Sequence, residues 1–185
     1  MNRFIVRKTL VYAFFLLLSV LLQFQYPDAL TLNGNSPDFL LVLTVLAAYL
    51  FSASDGIAMA LLAGLLKDFY AGRLIGLGAI LFLYCALMAT VLFRDHLSTG
   101  FFAALFQTVA ASAFYHLVLM FLTKLVYDPP YPLMDYLMHY TTATMLPVIL
   151  MNTVWAGILY GLLRWISPQN KEKSILAEVR TGGDA

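Results

Sequence analysis

Six stretches of the chain are apolar enough, or nearly so, to lie within a lipid bilayer, and short polar breaks separate them. A crossing helix needs roughly 17 to 25 residues. The candidates are Thr9–Tyr26, Pro37–Ser54, Asp55–Gly72, Arg73–Phe93, Gly100–Tyr127 and Tyr136–Trp165. The second and third are the weakest, because their uncharged apolar stretches run only from Phe39 to Phe51 and from Ile57 to Leu66. Two readings stay open for them: two full crossings, or a hairpin of half-spans that enters and leaves on one side. Either leaves the other spans in place. The expected fold class is all-α, a polytopic membrane protein of about six transmembrane helices. They form a single domain over residues 1–166, followed by a polar tail at 167–185 expected to be mostly disordered.

Charge changes this picture by orienting it. Lys and Arg favour the cytoplasmic side of short loops. With the N-terminus inside, the inner face holds Arg3, Arg7, Lys8, Arg94, Arg164, Lys171, Lys173 and Arg180, and the outer face only Lys67, Arg73 and Lys124. Both termini are therefore expected in the cytoplasm, which agrees with an even number of crossings. Composition supports a lipid environment, since 62% of residues are hydrophobic and 11% charged, against about a quarter charged in soluble domains. The basic residues near the start precede an apolar run from Leu10 to Leu22, as in a secretory signal. The following Gln23-Phe24-Gln25-Tyr26-Pro27 is too bulky for cleavage, so the run is read as an uncleaved first span. No basic cluster is interleaved with exposed aromatics, so no nucleic-acid partner is expected. The lone Cys85 cannot form an intrachain disulfide.

Candidate chemistry is sparse. In Asn35-Ser36-Pro37-Asp38, Ser36 is placed to cap a helix, Pro37 to take its first position and Asp38 to favour the positive end of its dipole, at the outer membrane surface. The third span carries Gly56, Ala60, Gly64 and Asp68 at four-residue steps. Small residues at that spacing let another helix approach closely. An Asp at the bilayer centre costs about 2.5 to 3.5 kcal/mol, so Asp68 is expected near the outer end. There it braces the turn toward Arg73 or serves a ligand or proton, while Lys67 snorkels outward. In the fifth span Gly100, Ala104, Thr108, Ser112 and His116 form a face to be buried among helices. His116 is either an intramembrane functional residue or a neutral imidazole bonded to a neighbouring Ser, Thr or Tyr. His139, Asn152 and the Gly157–Gly161 pair add weaker packing signals. The loop Tyr127–Asp135, stiffened by Pro129, Pro130 and Pro132, is a connector or a shaped contact on the outer side. His96, His116, His139 and Cys85 lack metal-ligand spacing, and no nucleophile elbow or phosphate-cradling loop occurs, so no catalytic residue, metal or cofactor is expected.

Taken together, these residues resemble the MreD family of bacterial rod-shape proteins. The likeness is carried by Leu22-Gln23-Phe24, Tyr26-Pro27-Asp28, Ser36-Pro37-Asp38-Phe39-Leu40-Leu41 and Gly64-Leu65-Leu66-Lys67-Asp68-Phe69-Tyr70-Ala71-Gly72, with Gly76-Leu77-Gly78 beyond. Order and spacing of Gly64, Asp68, Gly72 and Gly76 are the distinctive part. Lys67 replaces an apolar residue, and Gly78 stands where a larger one is common. The resemblance covers roughly residues 3 to 165. It implies a noncatalytic subunit of the bacterial inner membrane, binding MreC and helping couple MreB filaments to RodA and its transpeptidase partner in side-wall peptidoglycan synthesis. The implied interface or structural residues are Pro37, Asp38, Gly64, Asp68, Gly72, Gly76 and His116. The family is similar in fold to the six-helix substrate-binding subunits of energy-coupling-factor transporters. The rival expectation is therefore a vitamin-binding transporter subunit with a pocket drawn from Asp68, Tyr70, His116 and His139.

Overall fold

A helix that is apolar on every face has to be buried on every face, and Phe39–Leu50 is one. In the computed structural model, which describes residues 3–25, 31–51, 53–71, 76–94, 100–127, 130 and 132–166, this segment is the axis of the molecule. It is α2, and each residue from Phe39 to Tyr49 is buried. The other helices are α1 (Arg3–Phe24), α3 (Ala53–Ala71), α4 (Leu77–Met88), α5 (Phe101–Tyr127), α6 (Leu133–Tyr140) and α7 (Leu146–Ile166). A π-helical turn at Ala89–Arg94 extends α4, and another at Thr141–Met145 joins α6 to α7 in one bent rod. The described residues thus form an all-helical bundle of six rods. The expected tail at 167–185 and its order lie outside the described residues.

Around α2 pack α1, α3, α4, α5 and α7. Small residues set the closest approaches. A Cβ on Gly56 would fall on Ala48 of α2, within 2.6 Å of its Cα. The α3 stripe beginning at Gly56 therefore meets helices of this same chain. Across α1 and α3, the Tyr12 hydroxyl donates to Asp55 Oδ2 at 3.1 Å. Toward the other end Phe24 stacks on Tyr70, with ring centroids 3.6 Å apart.

The polarity is inverted relative to a soluble protein. Asp38, Asp68, Gln107, Thr108, Ser112, His116 and Asn152 are buried, whereas Leu10, Phe14, Leu17 and Leu21 of α1 and Leu150, Val154, Ile158 and Leu162 of α7 are exposed. Water would penalise such a surface, and hydrocarbon would not. Among the described residues, two helical stretches are long and apolar enough to cross a membrane, Phe101–Val126 with 26 residues and Leu133–Trp165 with 33. By contrast, the 12 residues of α2 reach only about 18 Å at 1.5 Å per residue, short of a hydrocarbon core about 30 Å thick. The residues just before α2 are not helical, and Pro37 and Asp38 are already buried there. Non-helical backbone at such depth is tolerated where protein surrounds it.

Candidate functional site

Three short sequence signals bring the buried polar residues together. The first is Asn33-Gly34. Both residues have positive φ, 54° and 76°, and Leu32 and Asn35 exchange backbone hydrogen bonds of 2.9 and 3.0 Å. This is the geometry of a two-residue hairpin turn, which Asn-Gly adopts with the least strain. It aims the Asn35 side chain at the last rod, where Nδ2 donates to the Ala143 carbonyl at 2.7 Å. The second signal is Pro147, four residues after Ala143. Proline has no N–H to return to that carbonyl and its ring crowds it, so the helix slips into the π register at Thr141–Met145. Asn35 supplies the donor that Pro147 lacks.

The third signal is Ser36-Pro37-Asp38. The helix starts two residues later than the sequence suggests: Asp38, not Ser36, is the N-cap, with its side chain accepting from the Leu41 N–H at 3.2 Å. Asp38 also lies inside the protein, only 4% exposed. Its backbone N–H donates to Asn152 Oδ1 at 2.7 Å, and Asn152 Nδ2 donates to Ser112 Oγ at 3.0 Å. The carboxylate is ion-paired with Lys67 of α3. Lys67 therefore turns inward instead of snorkelling out, because a buried carboxylate at the start of α2 attracts the ammonium more strongly than a distant headgroup region. Its Nζ stands 4.5 Å from the centre of the Tyr115 ring and 5.2 Å from that of Phe82, both within cation–π range. One charge pair thus joins α2, α3, α4 and α5, and Asn152 adds α7.

Asp68, the next residue, faces the start of α4. It accepts the Gly76 N–H at 2.8 Å and the Gly78 N–H at 2.9 Å. Gly76 has φ of 102° and offers no side-chain cap, so a carboxylate from the neighbouring helix satisfies the open amides and complements the dipole. The glycines around it are there for room. A Cβ on Gly78 would strike Asp68 Oδ1, and one on Gly64 would lie 2.6 Å from the Ala79 nitrogen. Gly72 and Arg73 lie outside the described residues.

His116 is a further buried polar residue of α5. It neighbours Tyr115 in sequence, is 7% exposed, and its Nδ1 lies 3.4 Å from the Tyr140 hydroxyl. Nearby, Tyr136 donates to the Met120 carbonyl at 3.3 Å. His139 and Tyr70 are exposed and do not join the cluster. Cys85 is buried, its Sγ 3.6 Å from the Ala111 carbonyl. Of the Gly157–Gly161 pair, a Cβ on Gly161 would meet open space. Among the described residues, no group of His, Cys, Asp and Glu gathers in a way that would hold a metal. Lys67 and Asn152 do more than the motifs suggest, Lys67 having been expected to snorkel outward and Asn152 to be only a weak packing signal. An Asn and a Lys in otherwise apolar helices, each costly unless paired, were the signals that pointed to them.

A family model, that of the rod shape-determining protein MreD, matches residues 2–166 of the chain. The chain belongs to the MreD family. Members are bacterial membrane proteins that determine rod shape. The inside-out polarity of the bundle is what such membership requires of this chain. No curated protein and no solved structure matches it.

Proposed function

We propose that this MreD-family chain is a noncatalytic membrane scaffold of the cell-wall elongation machinery. In this reading it crosses the inner membrane six times with both termini in the cytoplasm, in a fold like the substrate-binding subunits of energy-coupling-factor transporters. It binds MreC directly and so helps couple MreB filaments to RodA and its transpeptidase partner. The observation that supports it best is where the buried charges go. The Asp38 carboxylate meets Lys67 and the Leu41 amide, and both Asp68 oxygens meet the amides of α4. Groups engaged in this way fix the relative positions of helices and stabilise a rigid body on which partners assemble. A vitamin-binding subunit needs convergent polar groups facing a pocket. Of the four residues nominated for one, His139 and Tyr70 are exposed and Asp68 is engaged.

Co-expression with a candidate MreC tests the proposal. A stable stoichiometric complex in detergent, and round cells on depletion of this chain, are the expected outcomes. Absence of association, or rods that persist under full depletion, would overturn it. A small vitamin copurifying tightly with the chain alone would favour the transporter reading instead.

A further inference from the structure

The outer end of the last rod is attached unlike any other part of the bundle. Its α6 segment has no buried residue, and it reaches the core through the π turn and Pro147. Three side-chain hydrogen bonds to other elements are among the contacts that hold it. Two are long: His116 to Tyr140 at 3.4 Å and Tyr136 to the Met120 carbonyl at 3.3 Å, beyond the usual 2.7 to 3.2 Å range and correspondingly weak. The third, Asn35 to the Ala143 carbonyl, is 2.7 Å. It comes from a turn whose two central residues hold positive φ, so the donor is held in place. It also lands on the carbonyl that Pro147 deprives of its helical partner.

We propose that Leu133–Met145 is an arm hinged at Pro147 and latched shut by Asn35. With the latch made, the arm lies against the face of α5 that carries His116, next to Tyr115 and the Asp38–Lys67 pair. With the latch broken, the arm pivots and uncovers that face. Only the arm moves, because below Pro147 the rod is fixed by Asn152 to both Asp38 and Ser112. This inference stands on the geometry of one rod and is independent of the partners assigned above.

Spin labels on exposed positions of the full chain in lipid nanodiscs measure the motion. One pair, Met134→Cys with Ile80→Cys, spans the arm and α4; both sites are exposed, and Cys85 is buried away from label. A control pair, Ile158→Cys with Leu87→Cys, lies on the fixed part. Met134 lies roughly 20 Å from the hinge along the helix at 1.5 Å per residue, so a change of bend of about 20° displaces it by about 7 Å. Asn35→Ala should broaden the arm distance distribution and add a population displaced by that amount, leaving the control distribution unchanged. Adding Pro147→Ala restores an N–H for the Ala143 carbonyl and should return the arm distribution to its parental width. An arm distribution indifferent to Asn35→Ala overturns the latch. A control pair that broadens equally shows general loosening and overturns the hinge, as does a double variant that stays broad.

Discussion

At the scale of single residues, the deciding quantity is the cost of charge where water is scarce. Removing one member of a buried ion pair leaves the other uncompensated and costs about 3 to 5 kcal/mol, whereas replacing both by apolar groups is often close to neutral. Asp38→Asn and Lys67→Met should therefore each lower thermal stability in detergent markedly, with the double variant recovering much of the loss. Additive losses would mean that the pair is not coupled. Asp38→Asn keeps an oxygen to cap Leu41, so its loss reports the charge rather than the cap. Asp68 separates differently, because it meets amides and no cation is among its described bonds. Asp68→Ala removes a helix cap, about 0.5 to 2 kcal/mol in water, and should reduce folded yield. Asp68→Asn retains an acceptor oxygen and should fall between. Chromatographic yield of monodisperse protein is the measurement, and unchanged yield with selective loss of a partner would contradict the bracing role.

At the scale of elements, what was readable depended on whether the signal was a pattern or a pairing. The apolar stretches are patterns, and the shortness of the second was visible in its run from Phe39 to Phe51. So was the Gly64-to-Gly76 order around Asp68, since glycine beside a carboxylate implies a close approach. The start of α2 was misplaced by two residues because Ser36 and Asp38 are both good caps, and burial against Asn152 decided between them. The inward turn of Lys67 and the bond from Asn35 to Ala143 depend on residues 29 and 108 positions apart, which no local pattern encodes. Asn33-Gly34 and the mid-helix Pro147 each carry a local signal that went unread, and their connection is not local at all. Close helix packing yields a sharp contrast. Gly64→Ala and Gly78→Ala must push α3 from α4 or displace the Asp68 carboxylate, an overpacking cost of about 1 to 3 kcal/mol. Gly161→Ala meets open space and should stay within about 0.5 kcal/mol of the parent, as surface changes do. Thermal unfolding of the three variants in one detergent checks this, and equal effects would refute the packing account.

At the scale of the whole molecule, the same amino-acid change acts oppositely on a bundle in water and on one in lipid. On a soluble bundle, exchanging an exposed Leu for Asp removes an aggregation-prone patch and helps solubility. Here Leu150 is 61% exposed and lies two residues before Asn152, level with the ion pair in the body of the bundle. If hydrocarbon surrounds that level, Leu150→Asp places a charge in lipid without a partner, at about 2.5 to 3.5 kcal/mol. Asp38 and Asp68 are tolerated inside the bundle because each has partners on another helix. Leu150→Asp should accordingly reduce the membrane-inserted fraction severalfold in a fractionation assay, while Leu150→Phe leaves it unchanged. The exposed Trp165 at the end of α7 provides the depth control, because aromatic residues favour the interface and a charge is cheaper there. Trp165→Asp should reduce insertion much less than Leu150→Asp. Equal losses at the two positions would mean that depth in the bilayer does not order the surface of the bundle, and the inverted polarity would then need an explanation other than lipid.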